Sequence, residues 1–462
     1  MVNQYSRRQF INLAAGTAIS ATALSSLGSF SRALASTSNT SGYKALVCLL
    51  LNGGNNGHNW VVPVSATPYA LYATARGALA LANSSLLPLN GTAADGYTYG
   101  LHPSCPELQA LYNSGKAAFV CNVGTLIQPT TVAQAQAGSV SLPPQLFAHL
   151  DQQTEWVLGA AQSENKYGWA GQIADLFTSQ GVTANLAFNI DVGGTNYWQQ
   201  GKNTNPYVLG TSGAPVMSIT SNPYYRNGTR KQAALDLVSQ ATEDSNLMVQ
   251  EYAGIINSAS DKVTYVNNAL TSAGDLSTSF AIQVGDMGDS GLGSQLHEVA
   301  RVIKAQSYIN DSRQMFFVQI NGFDTHSGEL ATQQQLLGYV SQYVNAFYNA
   351  MVEIGQQDNV TLFTVSDFGR TLTSNSDGSD HGWGNHHLVV GGAVAGGQLY
   401  GSMPDLTIGG ASDFGQGRMV PTTSADQYSA TLASWFGVSS SDLSSIFTNL
   451  NNFSTTNLGF MS

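Results

Sequence analysis

Apolar residues in this chain fall into short unbroken runs, separated by stretches where they recur at helical spacing. Residues 43–51 (Tyr-Lys-Ala-Leu-Val-Cys-Leu-Leu-Leu) are nearly continuous, which predicts a central strand buried on both faces. Residues 117–123, 185–190, 315–320 and 360–365 read the same way, and 388–392 predicts a further short strand. Helical spacing predicts helices over 106–114, 143–159, 169–177, 295–306, 329–356 and 426–436, with one or two more between 229 and 273. The helix over 143–159 starts at Pro143-Pro144, because proline is tolerated in a first turn. Leu146, Leu150, Trp156 and Val157 would share its buried face. The succession of strand 315–320, helix 329–356 and strand 360–365 is a crossover unit, which favours a parallel sheet.

Composition and the N-terminus place this α/β pattern in a compartment. Only 10% of residues are charged while 48 are glycine, so solubility rests on uncharged polar groups, as is common in exported bacterial proteins. Ser6-Arg7-Arg8-Gln9-Phe10, an apolar run from Ile11 to about Phe30, and Ala33-Leu34-Ala35 predict a twin-arginine signal peptide over 1–35. Residues 36–462 then form a single large domain with loop-rich insertions around 193–290. The competing reading of the first 35 residues is an N-terminal membrane anchor. Export by the twin-arginine machinery moves folded proteins, often with a cofactor already loaded, so a periplasmic or secreted metalloprotein is consistent with the signal. Its removal takes away Arg7, Arg8 and Arg32 and no acidic residue. The formal charge goes from −11 to −14, which argues against a nucleic-acid surface. No second apolar segment predicts a stable membrane span after signal removal. Cys48, Cys105 and Cys121 are too few for a disulfide framework, and nothing selects a pair among them.

Candidate chemistry concentrates in residues 321–387, which hold four of the eight histidines. The segment opens with Asn-Gly-Phe-Asp-Thr-His (321–326), runs through Ser-Asp-Phe-Gly-Arg (366–370) and closes with Asp-His-Gly-Trp-Gly-Asn-His-His (380–387). Asp324 and His326 stand two apart on a turn leaving a strand, a spacing that brings both to one side of an extended chain. Against this, Asp324 would serve as a helix cap and His326 as a solvated turn residue. Asp367 leaves the next strand of the crossover, and strand ends in a parallel sheet converge at one edge. Arg370 offers a two-pronged clamp for an oxyanion, or an ion pair within its own turn. Gly382 and Gly384 would let His381 and His386 face one ion, whereas adjacent His386 and His387 point apart, so at most one of them ligates. Carboxylates and imidazoles on strand-end turns point to a metal site. The glycine-rich turn 52–59 after the first strand is a candidate wall of that site. His149, with Asp151 on the same helix, is a candidate general base or supporting group, while His58 and His102 lie in loops near the expected mouth. No nucleophile elbow, phosphate-binding loop, CxxC pair or dinucleotide-binding spacing is present, so no nicotinamide or flavin cofactor is predicted.

On these motifs the chain resembles domain-of-unknown-function family 1501, exported bacterial proteins grouped with the alkaline-phosphatase-like and sulfatase-like hydrolases. The resemblance rests on Gly53-Gly54, His149 to Gly159, Gly168-Trp169, Gly322 to His326, Ser366 to Arg370 and Asp380 to Gly384, with Leu101-His102-Pro103 a looser match. It implies an alkaline-phosphatase-like α/β fold, a mostly parallel sheet sandwiched by helices, with one or two divalent metals (zinc, calcium, magnesium or manganese) at the strand ends. It further implies Asp324, His326, Asp367, His381 and His386 as metal ligands, His149 and Arg370 as catalytic residues, and Asn55, Asn56 and Arg370 as substrate contacts. Three departures accompany it. Asn55 and Asn56 stand where a carboxylate is common, Phe368 stands where relatives often carry histidine, and Ala148 replaces a serine before the helix histidine. Without that hydroxyl, hydrolysis would need a metal-activated water. The implied function is an exported metal-dependent hydrolase of phosphate or sulfate esters, acting on an anionic small molecule or polymer. The departures support an alternative, a non-catalytic periplasmic or cell-envelope binding or assembly protein that retains the fold.

Overall fold

A computed structural model describes residues 38–159, 166–214, 233, 236–244, 246–281 and 290–462. The expected signal peptide over 1–35 lies outside the described residues, as does part of the stretch 193–290. The main sheet is built from β1 (Lys44–Asn52), β5 (Ala117–Gly124), β6 (Asn189–Asp191), β7 (Tyr207–Val208), β8 (Arg313–Asn321), β9 (Val360–Ser366), β10 (Asn385–Val390), β11 (Leu399–Gly401) and β12 (Thr423–Ser424). A small sheet joins β2 (Val61–Pro63), β3 (Leu87–Pro88) and β4 (Tyr99–Leu101). In the main sheet the order is β11-β5-β10-β9-β1-β8-β6-β7, with β12 also on β5. β1 lies between β8 and β9 and is parallel to both. Among the described strands of this sheet only β10 runs against the rest, pairing antiparallel with β5 and β9. The sheet is therefore mixed and mostly parallel, as the sequence predicts.

The helices of eight residues or more among the described residues are α1 (Ala66–Arg76), α2 (Pro106–Asn113), α3 (His149–Leu158), α4 (Trp169–Ser179), α5 (Leu247–Ala273), α6 (Leu292–Lys304), α7 (Glu329–Glu353) and α8 (Ala425–Phe436). Alternation along β1 divides the core between two layers. Ala45, Val47, Leu49 and Leu51 pack with Leu108 of α2, Leu296 and Val299 of α6, and Leu336 and Val340 of α7. Leu46 and Cys48 pack on the other face with Trp156 of α3, Trp169 and Ile173 of α4, and Tyr428 and Leu432 of α8. Burying each large aliphatic side chain here contributes about 1.5–3 kcal/mol relative to exposure. All three cysteines are free and buried, so no disulfide joins them. Among the described residues no helix is long and apolar enough to cross a membrane.

Three elements differ from expectation for local reasons. The strand over 185–190 is confined to β6, because the Asp311 carboxylate takes the backbone N–H groups of Asn185 and Leu186 at 2.5 and 3.2 Å. The helix predicted from Pro143 begins only at His149. Gln145 adopts a left-handed φ of 47°, and Gln152 Nε2 donates to the carbonyls of Pro144 and Gln145, folding that segment back on the helix. Leu150 consequently points to solvent rather than into the core. Lastly, β10 starts at Asn385, three residues before the predicted strand, and draws His386 and His387 into the sheet.

The second core layer also buries an acid. Asp426 opens α8 behind the Ser424–Gln427 capping box, and burial, reinforced by the negative charge of Glu155, pushes its carboxyl up to about 7. The ordinary value is 3.8, so between these limits the native chain holds a proton that the unfolded chain has lost, and stability falls as pH rises through the window. Asp426→Asn should match the parent near pH 4 and exceed it at pH 8 by about 4 kcal/mol in urea unfolding. A parallel pair of pH profiles would contradict this assignment.

Candidate metal centre

Three parallel strands end level with one another. Asn52 of β1 pairs with Asn321 of β8, and Leu51 pairs with Ser366 of β9, so the residues that follow share one edge. Gly53 turns β1 away at φ 116°, and a Cβ there would overlap the backbone nitrogen of Asp324. The turn is held by Gly53 N–H donating to Asp367 Oδ1 at 3.2 Å and Asn55 N–H donating to Ser366 Oγ at 2.9 Å. Close backbone approach at this glycine is what lets Asp324 and Asp367 stand side by side.

Asp324 is the hub. Its Oδ1 lies 3.0 Å from His326 Nε2 and 3.3 Å from His381 Nε2, and its Oδ2 lies 3.5 Å from His149 Nε2. Each histidine has its other nitrogen on an acceptor: His149 Nδ1 on Asp367 Oδ2 at 2.6 Å, His326 Nδ1 on Asp380 Oδ1 at 3.2 Å, and His381 Nδ1 on the Phe147 carbonyl at 2.7 Å. These acceptors take an Nδ1–H from all three rings and leave each Nε2 facing one carboxylate. His326 Nε2 and His381 Nε2 are only 3.0 Å apart. Ring nitrogens this close repel unless a proton or a metal cation stands between them, and a ring N–H donated to a carboxylate or carbonyl is the usual support of a metal-ligating histidine. Ligand atoms of His149, Asp324 and His381 lie within 4.8 Å of one another, so the donor set fits a divalent ion bound by nitrogen and oxygen.

The electrostatics follow from the same contacts. The hydrogen bond to Asp367 raises the His149 imidazole, outweighing its partial burial, with the charges of Asp367 and Asp324 adding to the rise. His381 is lowered, first by burial and then by the neighbouring His149 and Arg370 charges, despite its bond to Phe147. Partial burial would raise Asp324, but the Arg370 hydrogen bond and charge, with His149 and His326, hold it below the usual carboxylate range. Phe368, expected as the position of a missing ligand, packs its ring 4.8 Å from that of His149 and 4.5 Å from that of His381.

The structure thus brings together Asp324, His326, Asp367, His381 and His149, with Arg370 on Asp324, but not the others. His386 lies apart: it is buried within β10, its Nδ1 accepts the Asn122 N–H at 3.1 Å, and its ring meets His58. His387 points to the opposite face against Trp156 and Tyr428. Arg370 is fully buried, donating to Asp324 Oδ1 at 2.7 Å, to the Gly53 carbonyl at 3.4 Å and to the Ser379 carbonyl, so its fork faces the protein rather than a substrate. Asn56 is also fully buried, capping a turn at Asn59 and donating to Glu329. Asn55 accepts from Asn385 Nδ2 at 2.6 Å and is equally buried. His102 is buried with its Nδ1 taken by Ser104 N–H, and Asp151 is exposed on α3.

Sequence reasoning did not assign Asp380, although it precedes His381 in the densest histidine window. It also missed a buried network behind the centre. There Arg76 Nη2 meets Glu329 Oε1 at 2.5 Å, and Glu329 accepts from Ser379 Oγ, whose residue in turn contacts Arg370.

Comparison with known proteins adds the following. Nothing among curated proteins matches this chain. Solved structures similar to it include the PsFucS1 sulfatase from Pseudoalteromonas sp., at 12% identity and TM-score 0.33, with 79% of this chain and 66% of that one covered. A protein in the alkaline phosphatase superfamily from Vibrio parahaemolyticus gives 12% identity and TM-score 0.36 over 87% of this chain and 69% of its own. The C-terminal periplasmic domain of EcEptC from Escherichia coli, solved in complex with Zn, gives 11% identity and TM-score 0.30 over 77% and 75%. The chain therefore spans just under two thirds of the length of that sulfatase. The family described as "Protein of unknown function (DUF1501)" matches residues 43–414, a span that includes every residue of the centre, and the chain belongs to it.

Proposed function

We propose that this protein is an exported, metal-dependent hydrolase of phosphate or sulfate esters. The observation that carries the reading is the convergence of His149, Asp324 and His381 within 4.8 Å at the carboxyl ends of β1, β8 and β9. These three residues would hold the ion, with Asp367 and the Phe147 carbonyl fixing the two imidazoles. A divalent ion there would lower the pKa of a bound water and polarise the ester oxygen. His326 stands beside the three with 46% of its side chain exposed and Asp380 on its Nδ1, the arrangement of a general base with its orienting carboxylate. It takes the proton of the attacking water at Nε2 and returns it to the leaving oxygen. Arg370 positions Asp324 instead of gripping the ester. The Arg7-Arg8 motif supports export through the twin-arginine machinery, with metal loaded before passage.

The test is a preparation exported natively and purified without chelator, measured for metal per chain and assayed on mono- and diesters of phosphate and sulfate. His326→Ala should keep its metal and lose about 10²–10⁴-fold in kcat. Absence of divalent metal, together with no effect of Asp324→Ala and His381→Ala on any activity, would end the hydrolase reading. Burial of Arg370 favours a second reading, a binding or assembly protein retaining a structural metal. A bound metal without turnover of any ester is its expected signature.

A further inference from the structure

A cavity of about 280 Å³ shares no residue with the metal centre. His58 and His386 line it, their rings edge to face with centroids 6.0 Å apart, and Val61, Leu71, Met403 and Leu406 supply apolar wall. His58 is 5% exposed and its Nε2 is buried without a hydrogen-bond partner among the described residues. His386 has its Nδ1 on the Asn122 N–H, so its ring proton sits on Nε2. Burial pushes His58 down, with the charges of His386 and Arg76 adding to it, and pushes His386 down to about 4. The imidazoles are therefore neutral.

Among the described lining residues, Asp95 and Asp405 carry the charge. Asp95 receives the Tyr97 N–H at 3.0 Å and the Tyr99 hydroxyl at 2.5 Å, which fixes its carboxylate beside two aromatic rings that also line the cavity. Asp405 receives the Thr407 N–H and hydroxyl on Oδ1, at 3.0 and 2.8 Å, while its Oδ2 has no hydrogen-bond partner among the described residues. No lysine or arginine lines the cavity among those residues, and Arg76 is committed to Glu329. An apolar cleft with neutral imidazoles, tyrosine rings and two carboxylates at its mouth repels anions and suits a cation with an apolar body.

We propose that this cavity binds a small organic cation, its apolar or aromatic body against the cleft wall and its ammonium group at the rim between Asp95 and Asp405. This site is independent of the ester chemistry at the metal centre, whose substrates carry the opposite charge.

Calorimetric titration of the full exported chain with benzylammonium, benzyl alcohol and benzoate tests the proposal, since the three probes share one ring and differ in charge. Benzylammonium should bind about fivefold more tightly than benzyl alcohol, and benzoate should bind least. Asp405→Asn keeps an oxygen for Thr407 and removes the charge. It should weaken benzylammonium by about fivefold and leave benzyl alcohol within about twofold. Leu71→Trp, at a partly exposed wall position, should abolish binding of both. Equal affinity for the three probes, an unchanged benzylammonium affinity in Asp405→Asn, or retained binding in Leu71→Trp would each overturn the assignment.

Discussion

Glu329→Ala should cost the native state about 3–5 kcal/mol, the range for removing one partner of a buried ion pair. The side chains of Glu329 and Arg76 are both fully buried, so truncation leaves a guanidinium out of water with only the carbonyls of Thr371 and Leu372, at 3.1 and 3.3 Å, to receive it. Asn56 and Ser379 lose their acceptor in the same step. Replacing both ions with methionine should recover most of the loss, because the penalty comes from the uncompensated charge rather than from any large net attraction between the pair. Urea unfolding of the parent, Glu329→Ala and the double variant measures this directly. A loss below about 1 kcal/mol would mean that water reaches Arg76 and that the network does not brace the centre.

The second large effect is on metal. Asp324→Asn keeps an oxygen acceptor for Arg370 but removes the charge on which three imidazoles converge, and metal affinity should fall by more than about 100-fold. Asp367→Asn, which touches the ion only through His149, should lose about 10–100-fold. Because His149 is raised above its ordinary value of 6.5, metal must displace a proton from it, so affinity should climb with pH above that value. The sign reverses for the metal-free chain. There the contribution of His149 to stability is complete below about 6.5 and is lost as pH rises through the elevated native value. Competition with a chelator from pH 6 to 8 reads both variants and the slope. Parent-like metal retention in Asp324→Asn would remove this carboxylate from the site.

Much of the framework was legible because it is written in local pattern. The continuous apolar run of β1 and the succession of β8, α7 and β9 specify a crossover, and a crossover puts Asp324 and Asp367 at one edge. What failed depended on contacts distant in sequence. The Arg76–Glu329 pair is separated by 253 residues, and no periodicity announces it. Arg370 reads as an anion clamp from its motif, yet its burial is decided by Gly53, Asp324 and Ser379 together. His386 reads as a ligand from its density of neighbours. It is excluded because β10 runs antiparallel from Asn385 and turns its side chain toward His58. Phe368 reads as a lost ligand, whereas its ring packs against both His149 and His381, which also touch each other.

The position of β1 between β8 and β9 also sets a timetable for biosynthesis. Ser366 donates to the Leu51 carbonyl across 315 residues of chain, so the central strand emerges from the ribosome long before either neighbour exists. At the usual pace of translation the gap is roughly 15–60 s, during which an apolar strand has both edges open. Nascent chains would need shielding over that interval, and truncations ending before β9 should be recovered as aggregates or chaperone complexes instead of folded fragments.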